Sequence, residues 1–73
     1  MELRAAILRH CRASWSKVAR VISAAHGDLS LPDDDVSYDL IAQELAKLVQ
    51  EGTLEAAGNI SEWRQSEVRL RSA

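Results

Sequence analysis

The sequence predicts an α+β domain, three helices followed by a C-terminal β-hairpin, with residues 1–73 forming a single unit. Three observations predict it. From Asp34 to Glu51 apolar residues recur at helical spacing, and the pattern stops at Gly52. Beyond that glycine two runs, 53–57 and 63–70, alternate apolar and polar residues around Gly58-Asn59. Ahead of Gly27, two shorter stretches carry helical spacing of their own.

The first of these stretches is 2–12. Leu3, Ile7 and Cys11 fall on one line at i, i+4 spacing, with Leu8 and His10 flanking it and Arg4, Arg9 and Arg12 mostly off it. A second helix is expected to start at Ser14 as N-cap, with Trp15, Val18, Ile22 and Ala25 on its buried face and Lys17 and Arg20 turned outward. Gly27 is read as its left-handed terminator. The connection 27–35 contains Pro32 and a run of aspartates, which oppose helix and strand alike. Leu29 and Leu31 within it are expected to pin it to the core.

Asp34, Asp35 or Ser37 should cap the third helix, where negative charge suits the N-terminal end. Its inner stripe is Tyr38, Ile41, Ala42, Leu45, Leu48 and Val49. Gly52, with a positive φ, should turn the chain into the first strand. In the hairpin, alternation places Leu54 with Ala56, and Val68 with Leu70, on inward faces, and Trp63 begins the final strand. The segment between the strands is too long for a two-residue turn.

A chain this short buries only roughly 60% of its unfolded surface, and its stability should be on the order of 4–11 kcal/mol. One cysteine, Cys11, excludes an intramolecular disulfide and suits a reducing compartment. No basic-then-apolar leader and no apolar run of membrane-spanning length occur, so a cytoplasmic protein without membrane association is expected.

The net charge of −2 conceals a segregation. Residues 1–26 set Arg4, Arg9, Arg12, Lys17 and Arg20 against Glu2 alone. Residues 27–62 set Lys47 against nine carboxylates, and the tail from Trp63 is basic again through Arg64, Arg69 and Arg71. Mutual neutralisation of packed neighbours is the plainer explanation, and a basic face for a polyanion the sharper one.

From Leu45 onward the run L-A-K-L-V-Q-E-G-T-L-E, a turn and a basic strand resemble the end of a winged helix-turn-helix domain. More narrowly, LVQEGTLEAAGNISEWRQSEVRL is similar to the close of an uncharacterised bacterial domain family, with its Gly-Asx turn, an Arg and a Glu-Val-Arg-Leu ending. That resemblance covers about half of the chain. It implies a fold and a C-terminal-type module, and no reaction, since the family has no established activity.

No catalytic constellation is visible: serines, histidines and aspartates are present without a motif that joins them, and the expectation is not an enzyme. No metal or cofactor is expected either. His10 and Cys11 point to different sides of a helix, no C-x-x-C or H-x-x-x-H pair exists, and Asp33-Asp34-Asp35 lacks the alternating spacing of a calcium loop. Trp15 is expected to serve the core of a domain that has no phenylalanine, and Trp63 either caps the end of that core, the favoured position, or sits exposed as an anchor.

Docking of the third helix in a DNA groove is disfavoured, because Asp34, Asp35, Asp39, Glu44 and Glu51 outweigh Lys47 and repel phosphates. The function expected is therefore protein–protein interaction, self-association included. Its candidate surface is Val36, Leu40, Gln43 and Lys47 on the outer side of the third helix, with Trp63 and Arg64 beside them. Either the Leu29–Leu31 loop folds over Val36 and Leu40, or they form an exposed apolar patch. The alternative is an atypical nucleic-acid-binding or transcription-regulatory protein using Arg9, Arg12, Lys17, Arg20, Arg64, Arg69 and Arg71, provided these converge on one face.

Overall fold

A computed structural model describes residues 2–71. The chain runs α1 (Leu3–Arg9), β1 (Ser16–Lys17), α2 (Val18–Leu29), α3 (Asp35–Gln50), β2 (Leu54–Ala57), a 3₁₀ segment (Ile60–Gln65) and β3 (Glu67–Leu70). The three strands form one antiparallel sheet in the order β1-β3-β2. The class is α+β, as the sequence predicts, but the sheet has one strand more than a hairpin.

β1 is a short strand that sequence periodicity misses. Trp15, Val18, Ile22 and Ala25 have helical spacing, yet Ser16 pairs with Val68 and Lys17 with Glu67. The chain then turns into α2 at Val18, whose N–H donates to the Ser66 carbonyl over 3.0 Å. The non-local strand pairing overrides the local pattern. Ser14 is accordingly not the N-cap, and Lys17, with extended backbone, occupies that position. Trp15, outside the helix, is 41% exposed and not part of the core.

The other end of α2 also differs from the sequence reading. Gly27 lies inside the helix, and Ser30, with φ 52°, supplies the left-handed terminus. The helix thus gains Leu29, which packs with Leu31 against the core. α1 is shorter than predicted: the N–H groups of His10 and Cys11 donate to Ile7 and Leu8, three residues back, and tighten the end of the helix.

α3 follows its sequence closely. Asp34 is the N-cap, its carboxylate accepting from the Ser37 N–H at 2.8 Å. That backbone hydrogen bond holds the carboxyl below the ordinary range. Ile41, Leu45 and Leu48 are fully buried, and Tyr38, Ala42 and Val49 pack at the margin. They join Ile7, Val18 and Ile22 in a single core, closed from the sheet side by Leu54 and Val68. Gly52 has φ 86° and reverses the chain into β2. Leu54 and Val68 are buried with Ala56 and Leu70 half-buried beside them, the inward alternation expected.

Trp63 does not begin a strand. Residues 60–65 form a 3₁₀ segment kinked at Glu62, entered through Asn59, whose side chain accepts from the Ser61 N–H at 3.1 Å. Ile60 and Trp63 pack from this segment onto the core. No helix among the described residues is long and apolar enough to cross a membrane.

Candidate functional site

With Ile41, Leu45 and Leu48 committed to the core, helical geometry turns Val36, Leu40, Gln43 and Lys47 to the opposite side of α3. Val36 is 69% exposed and Leu40 45% exposed. The loop after α2 does not cover them. It is drawn to the other flank, where Leu29 and Leu31 join the core and His26 Nε2 meets the Pro32 carbonyl at 2.8 Å. The His26 ring also stacks on Tyr38 with centroids 4.2 Å apart.

Beside this patch, α3 and the 3₁₀ segment enclose a shallow groove of about 310 Å³. Asp39, Ala42, Gln43 and Ala46 supply its α3 side, and Ile60 and Trp63 its far side. The groove exists because α3 presents two alanines one turn apart where longer side chains would fill the space. Gln43 belongs to both the groove and the Leu40 stripe, so the two surfaces are continuous. Arg64 lies over the Trp63 ring, 4.2 Å from its centroid, and limits that edge.

Of the interaction residues proposed from sequence, Gln43 and Trp63 thus meet in the groove, with Leu40 one turn from Gln43. Arg64 sits on the indole, while Val36 and Lys47 lie towards opposite ends of the helix. Sequence reasoning missed Ala42, Ala46 and Ile60 as lining. The Ala-x-x-x-Ala spacing and the Asn59-x-Ser61 turn signal were available, but joining them required the 3₁₀ segment.

Ion pairing redistributes the charge of α3. Arg4 donates to Glu44 at 3.2 Å and also engages Glu51, tying α1 to the C-terminal half of α3. The Arg4 hydrogen bond holds the Glu51 carboxyl below its usual range. Lys47 adds a longer contact to Glu44 at 3.9 Å. Asp39, which lines the groove, enters no ion pair among the described residues, and neither do Asp35 one turn before it and Glu62 next to Trp63.

The basic residues divide. Arg9 and His10 both contact Asp28, at 3.2 and 2.7 Å, and the His10 hydrogen bond leads in lowering the Asp28 pKa. Arg64 stacks on Trp63 and Arg71 approaches Gly52, and neither lines the groove described next. Arg12, Lys17 and Arg20 do converge. With His10, Trp15 and Glu67 they line a second groove, of about 540 Å³. Arg69 lies over the Trp15 ring at 4.5 Å and also pairs with Glu55 at 3.3 Å.

Among the described residues no three potential metal ligands come together. Cys11 is buried, and burial raises its pKa, which disfavours the thiolate. No protein-family model, curated protein or solved structure matches the chain.

Proposed function

We propose that this chain is a protein-interaction module on a winged-helix-type scaffold, working through the outer face of α3 and the groove beside it. The order α1-β1-α2-α3-β2-β3, with β3 between β1 and β2, supports the scaffold reading. The exposure of Leu40, continuous through Gln43 with the Ala42–Ala46–Ile60–Trp63 groove, carries the functional one. An apolar centre with a polar rim has the composition of an interface.

Charge selects the occupant. Asp39 lines the groove, Asp35 stands one turn before it on α3 and Glu62 is next to Trp63 in sequence, so the partner is a protein segment that presents an aliphatic or aromatic side chain flanked by Lys or Arg. Such carboxylates steer a basic partner and repel nucleic acid.

Selection from a random peptide library tests this. Enriched sequences should carry an apolar anchor next to basic residues. Leu40→Asp should lower their affinity about tenfold or more while leaving the far-UV spectrum and melting temperature close to the parent's. Enrichment of acidic peptides, or binding indifferent to Leu40→Asp, would overturn the reading. Sedimentation of the free chain distinguishes a separate partner from a second copy: concentration-dependent dimerisation lost in Leu40→Asp would make the partner this chain itself.

A further inference from the structure

The Trp15 groove shares no lining residue with the α3 surface and calls for its own explanation. Exposing a tryptophan in a small domain that has so few aromatics leaves a large apolar face without a partner in the core. The strand register shows how it is held out. Ser16 opposes Val68, so one step further along the same antiparallel register places Trp15 opposite Arg69, and Glu55 opposes Arg69 on the next strand. The row Trp15–Arg69–Glu55 therefore crosses the outer face of the sheet, opposite the face that carries Val68 and Leu54 into the core. Arg69 is fixed by Glu55 and covers one side of the indole. The rest of the ring opens on the groove.

Around it stand Arg12, Lys17 and Arg20. All three are exposed, and none enters an ion pair among the described residues, although Arg4, Arg9, Lys47 and Arg69 all do. Two carboxylates reduce the local charge without cancelling it. Glu67 lies opposite Lys17 in the register and lines the groove, and Asp28 is already shared by Arg9 and His10.

We infer that this groove binds single-stranded nucleic acid, one base stacking on Trp15 while Arg12, Lys17 and Arg20 take the flanking phosphates. An aromatic platform inside a cationic groove is the arrangement that holds unpaired bases, since every base offers a π-face and the backbone supplies the charge. Duplex is disfavoured on the same geometry, because its bases are already stacked on one another and cannot reach the indole. An acidic peptide would satisfy the cations but leave the tryptophan unused.

The test is fluorescence anisotropy with a labelled oligothymidylate of about 12 nucleotides at about 50 mM salt, against duplex of the same length and against poly-glutamate as competitor. The single strand should bind, its affinity falling with salt at a log–log slope of about −2 for three phosphates. Trp15→Ala should weaken binding about tenfold or more, and Trp15→Phe should retain most of it. Lys17→Gln and Arg20→Gln should each reduce the slope by about 0.7, with the fold checked by circular dichroism. Absence of binding, duplex bound as tightly as single strand, poly-glutamate competing charge for charge, or Trp15→Ala without effect would each overturn the proposal. Leu40→Asp should leave this binding unchanged, which separates it from the α3 surface.

Discussion

Leu48 has no accessible surface and lies where α3 meets the rest of the core. Truncation to alanine should cost roughly 2–5 kcal/mol, a large part of what a domain this small has, and chemical denaturation measures it directly. At Gly52 the cost has a different origin. A built Cβ would meet only Arg71 Nε, at 3.7 Å, so space is not limiting; the φ of 86° is. Gly52→Val should therefore destabilise more than Gly52→Asn, because asparagine tolerates the left-handed region and a β-branched residue does not. Asp34 links a residue to pH. Its folded pKa lies below the ordinary value, so its contribution is complete above the usual carboxylate range near pH 4 and is lost as pH falls through the depressed folded value. Asp34→Ala should lower the melting temperature at pH 7 and cease to differ from the parent at acid pH. These residues were legible in the sequence because cap, stripe and terminator act within one helix. Trp15 was not, because its environment is set by Arg69, which is far away in the chain.

At the scale of elements the same division holds. α3 could be read from its own residues, and the inward faces of β2 and β3 from their alternation. β1 and the 3₁₀ segment could not. β1 is two residues long and exists only through pairing with β3, while the 3₁₀ segment takes in Trp63, Arg64 and Gln65, whose local pattern reads as strand. The candidate site inherits this limit. Its helix half, Leu40 and Gln43, was visible as apolar and polar residues off the buried stripe. Its other half was visible only as Trp63, and the wall of Ile60 came with the 3₁₀ geometry. Gly27 shows the reverse error, a terminator read where the helix continues. Its conformation is not left-handed, and nothing lies within 4 Å of a built Cβ. Gly27→Ala should then stabilise the domain by about 0.5–1 kcal/mol through helix propensity and a less disordered unfolded chain. Had Gly27 been the left-handed cap, the same change would destabilise, so a denaturation curve separates the two.

For the whole molecule, the charge segregation of the sequence resolves into three parts. One is spent on internal ion pairs: Arg4 with Glu44 and Glu51 joins α1 to α3, and Arg9 and His10 with Asp28 join α1 to α2. These exposed pairs orient the helices more than they stabilise them. A second remains as the carboxylates of Asp35, Asp39 and Glu62, and a third as the cationic groove at Trp15. Composition could reveal the imbalance but not which charges cancel, since that depends on contacts between helices far apart in sequence. Protein recognition is proposed at the Leu40 patch and its groove. The most direct measurement is amide chemical-shift mapping of the labelled domain titrated with a library-selected basic peptide. Perturbations should concentrate at Leu40, Gln43, Ala46, Ile60 and Trp63, leaving Trp15 and Arg20 unmoved. Shifts centred on the Trp15 groove, or spread without a focus on α3, would contradict it.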